Sequence, residues 1–139
     1  VVRLPVGADG LVELEIAREA IDERTALVAA MLVNNEIGVI QPVAQLAAMA
    51  HAVGAVMLCD AVQGFGRLAI PAGPHLIALS AHKIHGPKGI GALWMRKGFE
   101  PRPLLHGGGQ EMGLRSGTLS PALAVGFGEA ARLGVEYRE

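Results

Sequence analysis

Two apolar runs separated by a helix-length stretch constrain this chain more than anything else in it. The run LVAAMLV, Leu27 to Val33, stops at Asn34, Asn35 and Glu36. The run AVMLC, Ala55 to Cys59, stops at Asp60, with Gln63 just beyond. Between them, QPVAQLAAMAHAVG has the small and apolar residues of a helix, closed by Gly54. Strand, helix, strand makes a parallel pair with a right-handed crossover the default. Parallel neighbours end on the same edge, and that edge is where open α/β sheets bind ligands.

A third run, LIAL from Leu76 to Leu79, leads into SAHKIHGPKG. It reads as a buried strand that ends abruptly in Ser80, His82 and Lys83. Desolvation at such a place lowers the pKa of an amine and makes it a usable nucleophile. Ser80 and His82, with the backbone around Ala81, offer donors for an anion. Lysine plus anion donors at a strand end is what a pyridoxal phosphate site needs. In isolation the same residues also fit an ordinary loop lysine beside a histidine. Three polar strand ends on one rim, bearing an amide, a carboxylate and a lysine, make a site.

Asp60 is the most informative carboxylate. A pyridine nitrogen stays protonated beside an anion, and the protonated ring draws electrons from a substrate Cα. An aspartate ending a buried strand otherwise carries a desolvation cost without a partner; a helix N-cap is the competing reading. Val62, two residues on, shares a face with Asp60 and packs on the ring that Asp60 grips. Cys59 lies inside the apolar run, where a buried thiol is inert packing. Lys88 is the rival nucleophile, but it follows Pro87 in a turn farther from the strand end, which favours Lys83.

The blocks VNNEIGVIQP, DAVQ, SAHKIHGPKGIGALW and HGGGQEMGLRSGT, in this order and at these distances, resemble the cysteine desulfurases. These are pyridoxal-phosphate enzymes of the class V aminotransferase superfamily, fold type I, and the HK-x-x-GPKG and RSGT blocks point to the iron–sulfur-assembly group. The resemblance runs through nearly the whole chain. It implies that residues 1–139 are part of the large, cofactor-binding domain, an α/β unit with a mostly parallel sheet and flanking helices, with N- and C-terminal portions absent. It also implies the catalytic lysine at Lys83, and cofactor contacts from Asn35, Asp60, Val62, Gln63, Ser80, Ala81, His82, Lys83 and Thr118. Asn35 lies close to the ring hydroxyl and the substrate carboxylate, and Gln63 donates to the ring hydroxyl. Asn34 and Glu36 are structural. Thr118 reaches the phosphate of the other subunit of a homodimer. The implied substrate is L-cysteine, converted to alanine with sulfur held as a persulfide on a cysteine beyond residue 139, then passed to an iron–sulfur scaffold or other acceptor. The implied compartment is the cytoplasm, or the mitochondrial matrix in a eukaryote. A selenocysteine lyase, an aminotransferase and a non-catalytic truncated homologue are the alternatives.

Charge is nearly balanced, with 12 Lys and Arg against 13 Asp and Glu, which gives no footprint for nucleic acid or an anionic membrane. No apolar run approaches the about 20 residues of a membrane span. One cysteine excludes an internal disulfide framework and offers no metal cluster, which suits a reducing compartment. No repeats, linkers or low-complexity segments stand out.

The remaining chain reads as connections and two further helices. VVRLPVGADG ends in a turn at Asp9-Gly10. Leu14, Ala17 and Ile21 share helical spacing over Glu13 to Ile21. Arg67 to Ala78 is shorter than the family pattern, and His75 stands where an aspartate is usual. His75 and His51 read as surface residues. IGALWMR is a short apolar strand with Trp94 packed, and Arg96 to Pro103 is a loop. HGGGQEMGLRSGT is glycine-rich and permissive in backbone angle. Such a loop ending in Ser or Thr often cradles phosphate, which alone is weak evidence. Met112 stands where the family has a basic residue. PALAVGFGEAARLGVEY is a helix with an apolar face for a core or dimer contact.

Overall fold

A computed structural model describes residues 1–137. The chain starts with a tight turn in which Val6 bridges Val12 and Gly10 takes a left-handed φ of 78°. Helix α1, Leu14–Ala20, follows, and its Leu14, Ala17 and Ile21 face the core as their spacing predicts. Strand β1 spans Leu27–Met31 and helix α2 spans Val43–Ala52. Val43, Leu46, Ala47 and Ala50 recur at helical spacing on the buried face of α2. Gly54, with φ 75°, ends it: its N–H donates to the His51 carbonyl at 3.1 Å, and the Ala55 N–H donates to the Ala50 carbonyl at 2.8 Å. That pair of bonds is a Schellman stop, which turns the chain directly into the next strand.

Strands β2, Val56–Asp60, β3, Leu76–Ser80, and β4, Gly91–Met95, complete a four-stranded sheet in the order β1-β2-β3-β4. The first three are parallel and β4 is antiparallel to β3. Met31 pairs with Asp60, and Asp60 with Ala78, so the carboxyl ends of β1, β2 and β3 lie along one rim. The main core sits between one sheet face (Val28, Met57 and Cys59, with Ile77 and Leu79 beside them) and helices α1 and α2. Leu46, Met57, Val43 and Cys59 are the largest fully buried side chains. Enclosing Leu46 or Met57 is worth on the order of 2–3 kcal/mol each.

A second, smaller cluster fixes the end of β3. The chain leaves Ser80 in a 3₁₀ turn, Ala81–Ile84, and Ala81 and Ile84 pack on Phe127 and Ala130 of helix α3, Pro121–Glu136. The side chain of Ser120 caps α3 by accepting the Leu123 N–H. Gly126 lies against Pro87, where a Cβ would stand 3.2 Å from the ring carbons.

Three expectations about packing change. Strand β3 is not buried: each of its residues is partly exposed, because α2 packs on β1 and β2 and β3 lies toward the open side. Trp94 is not packed. It lies on the edge strand β4, opposite Ile77, and is 48% exposed. His75 is half-buried rather than a surface residue, and its ring Nδ1 accepts the Met57 N–H at 3.0 Å. The His75 N–H donates to the Met57 carbonyl at 2.8 Å, so this residue extends the β2–β3 ladder by one rung with its own side chain. His51 is exposed, as expected, and its ring stands edge-on to His75 with centroids 4.6 Å apart.

Candidate active site

The β1 exit is a built loop. The Leu32 N–H donates to the Asp60 carbonyl at 2.8 Å, and the Gln41 N–H closes the loop on the Leu32 carbonyl at 2.9 Å. Inside it, the side chain of Asn34 accepts the N–H groups of Glu36 at 2.9 Å and Ile37 at 3.0 Å. This is an Asx turn, the structural role expected of Asn34. Asn35 is left exposed at the bend, and its side chain makes no hydrogen bond among the described residues.

At the β2 exit, Asp60 Oδ1 accepts the Val62 N–H at 3.0 Å. The Ala61 N–H donates to the Ala78 carbonyl at 3.0 Å, tying this turn to β3. Asp60, Val62 and Gln63 are all half-buried. Asp60 Oδ2 has no donor among the described residues, so one carboxylate oxygen remains available to a ligand cation or a protonated ring nitrogen. No assigned α-helix lies between β2 and β3, but the Oδ1 bond caps a single turn that the Phe65 N–H closes on the Ala61 carbonyl at 2.8 Å, so capping engages one oxygen of Asp60 and leaves the other. Arg67 donates to the Gln63 carbonyl at 3.3 Å and braces that turn from outside.

At the β3 exit, Ser80 Oγ lies 2.8 Å from His82 Nδ1. Lys83 follows, half-buried, on the 3₁₀ turn that α3 holds in place. The enclosure expected around its amine is therefore partial. Ala81 is fully buried and its N–H donates to the Ile90 carbonyl at 3.2 Å, so that N–H is engaged within the protein. The anion donors left at this exit are the Ser80–His82 side-chain pair, within which one group donates to the other, and the His82 backbone N–H, which has no acceptor among the described residues. Lys88 is exposed in the following turn.

Cys59 is fully buried in β2. Burial first, and the neighbouring Asp60 carboxylate second, push its thiol up to about 11. A protonated, enclosed thiol is inert as a nucleophile.

Thus the structure brings Asp60, Val62, Gln63, Ser80, His82 and Lys83 to adjoining strand exits, with Asn35 on the next exit. It does not join Thr118 to them. Thr118 is exposed just ahead of α3, and no hydrogen bond links it to the rim among the described residues. The preceding loop is left-handed at Glu111 and Met112, with φ 51° and 57°, and Met112 is 90% exposed. Sequence reasoning missed Gln41, whose side chain bonds a segment some thirty residues earlier, and the His75 ladder contact. No local pattern announces either, since both partners are backbone groups distant in sequence.

An open α/β sheet whose parallel strands end in an amide, a carboxylate with a spare oxygen, and a lysine beside paired anion donors is a cofactor-site scaffold. The chain belongs to the class-V aminotransferases, a family of pyridoxal-phosphate enzymes whose profile matches residues 1–137. It is 46% identical over 143 residues to the cysteine desulfurase IscS of Ehrlichia chaffeensis, covering 98% of this chain and 35% of that protein. It is 48% identical over 141 residues to a mitochondrial cysteine desulfurase of Arthroderma benhamiae, covering 98% and 28%. Among solved structures, a NifS-like protein superposes with a TM-score of 0.92 at 42% identity, covering 98% of this chain and 39% of that one. A structure described as SspA in complex with cysteine gives 0.88 at 40% identity, covering 95% and 39%. The chain thus spans about a third of the length of the relatives it matches.

Proposed function

We propose that this chain forms part of the cofactor-binding domain of a pyridoxal-phosphate-dependent cysteine desulfurase. The observation that carries the reading is the rim itself, where the free oxygen of Asp60 stands one strand away from the Ser80–His82 pair and Lys83. Those residue types fit pyridoxal phosphate: an anion for the ring nitrogen, donors for the phosphate and an amine for the aldehyde. When bound, the cofactor supplies an electron sink conjugated to the substrate Cα.

Each residue then has a task. Asp60 Oδ2 holds the proton on the ring nitrogen while Oδ1 stays on Val62, which keeps the carboxylate from rotating. Val62 packs on the ring, and Gln63 donates to the ring hydroxyl. Ser80 Oγ and the His82 ring hold the phosphate. Lys83 would hold the cofactor through its amine, and that same amine is the base placed to take the substrate Cα proton. Asn35, with an unengaged side-chain amide, binds the substrate carboxylate. Cys59 is excluded as the sulfur acceptor by its burial, so the persulfide forms on a cysteine outside residues 1–139. Thr118 serves the phosphate of a second subunit, in a homodimer. Sulfur passes from the persulfide to an iron–sulfur scaffold or another acceptor, in the cytoplasm or the mitochondrial matrix.

The test is a titration of the purified chain with pyridoxal phosphate, read by visible absorbance, for wild type, Lys83→Ala and Lys88→Ala. A lysine-dependent band that Lys83→Ala abolishes and Lys88→Ala keeps supports the assignment. The reverse pattern contradicts it.

A further inference from the structure

The β1-exit loop does not stand by itself. Gln41, at its far end, reaches back to the first turn of the chain. Its Oε1 accepts the Val12 N–H at 3.0 Å, and its Nε2 donates to the Gly10 carbonyl at 2.7 Å. Both ends of the amide are used on backbone groups, and Gln41 is half-buried, so water competes poorly for them. Gly10 adds a steric key. It is buried, and a Cβ there would lie 2.7 Å from Ile37 Cδ1 and 3.2 Å from Val39 Cγ2. The side chains that touch Gly10 therefore come from the same loop that presents Asn35. The backbone bonds from Gln41 to Leu32 and from Leu32 to Asp60 continue the connection to the β2 exit.

We propose that Gln41 and Gly10 clamp the Asn34–Ile40 loop and so act as positioning residues for Asn35. The inference rests on the reading of Asn35 as a cofactor- and substrate-facing residue. The clamp holds both ends of the loop: Leu32 anchors its start to β2, and the Gln41 amide anchors its end to the Gly10–Val12 backbone. Asn34 sets the bend between them. With both anchors in place, Asn35 has one direction in which to present its amide. Without the Gln41 side chain the loop swings on its β1 stem, and the Asx turn that Asn34 forms with Glu36 and Ile37 opens more often.

Two measurements on the full chain test this. Amide hydrogen exchange is compared for wild type, Gln41→Leu, Gln41→Glu and Gly10→Ala, with the exposed Gln45→Leu as control. Exchange at Asn34, Glu36 and Ile37 should speed up about tenfold in Gln41→Leu and Gly10→Ala, the scale of one lost hydrogen bond, while the Met57 and Cys59 amides keep their protection. Gln41→Glu retains the acceptor for Val12 and should recover part of the protection; Gln45→Leu should change nothing. Unchanged exchange at Asn34, Glu36 and Ile37 in both Gln41→Leu and Gly10→Ala overturns the clamp.

The second measurement is the pH midpoint of the visible band with added pyridoxal phosphate. A general loss of stability lowers the amount of cofactor bound, whereas a displaced Asn35 moves the midpoint. Gln41→Leu should move it in the same direction as Asn35→Ala, and the double variant should add nothing further. A midpoint that shifts in Asn35→Ala but not in Gln41→Leu overturns the positioning role and leaves the proposed function standing. A wild-type chain without any Lys83-dependent band contradicts the proposed function instead, and the exchange experiment then decides the clamp by itself.

Discussion

Ser80 Oγ and His82 Nδ1 lie 2.8 Å apart at the end of β3, immediately before Lys83. The pairing keeps the hydroxyl and the imidazole side by side at the strand exit. The turn that bears them is held by Ala81 and Ile84 against Phe127 and Ala130. Replacing His82 with Phe keeps a ring and removes both nitrogens. Affinity for pyridoxal phosphate should fall by about tenfold or more, as for one lost hydrogen bond to a charged group. Affinity for pyridoxal, which lacks the phosphate, should hardly change. Equal losses for the two compounds would remove His82 from the phosphate site.

Asp60→Asn separates binding from chemistry. The amide keeps the shape and one acceptor but loses the charge that holds a proton on a ring nitrogen. In the full-length enzyme, which carries the persulfide cysteine, cofactor should still bind, while desulfurase turnover should drop by more than about a hundredfold, since each ~1.4 kcal/mol in the barrier is tenfold in rate. Steady-state kinetics of the variant enzyme, with the bound cofactor quantified, decides this; near-normal turnover assigns Asp60 a structural role.

His75 links stability to pH. Burial first, then the charges of His51 and Arg96, hold its pKa below the ordinary histidine range. The neutral ring accepts the Met57 N–H, and the protonated ring cannot. The stabilisation is present in full above the ordinary histidine pKa and is lost as pH falls through that range toward the lowered folded value. Thermal midpoints between pH 7.5 and 5 should therefore decline more steeply for wild type than for His75→Phe. Parallel profiles would contradict the linkage.

Cys59 gives a slope of opposite sign at the alkaline end. Its folded pKa lies above the unfolded one, at about 11. The stabilisation is complete below the ordinary thiol pKa and is lost as pH rises toward 11. Cys59→Ala, compared with wild type by denaturant melts between pH 8 and 10.5, should flatten the alkaline decline. In native buffer Cys59 should resist alkylation and react once the chain is unfolded. Rapid labelling of the folded chain would place the thiol elsewhere.

The parallel sheet and its site rim were legible because they rest on local rules. An apolar run that stops at Asn35, Asp60 or Ser80 announces a strand exit, and the Gly54 stop between two runs announces the crossover. The helical spacing of Leu14, Ala17 and Ile21 was equally plain. Trp94 and β3 are more exposed than their apolarity predicts because apolarity brings burial only when another element lies over the strand, and α2 covers β1 and β2 instead. Gln41 and His75 were illegible for a different reason. Each bonds a backbone group far away in sequence, and neither a period nor a motif encodes such a pairing. Thr118 rests on resemblance alone, and among the described residues no hydrogen bond joins it to the rim.

Covalent mapping decides whether Lys83 is the amine that takes the cofactor. The chain is incubated with pyridoxal phosphate, reduced with borohydride, digested and sequenced by mass spectrometry. A phosphopyridoxyl group should appear on Lys83 at stoichiometric yield, with Lys88 and Lys97 unlabelled, and that label should be lost when free phosphate competes. Label spread evenly over the three lysines, or concentrated on Lys88, would contradict it.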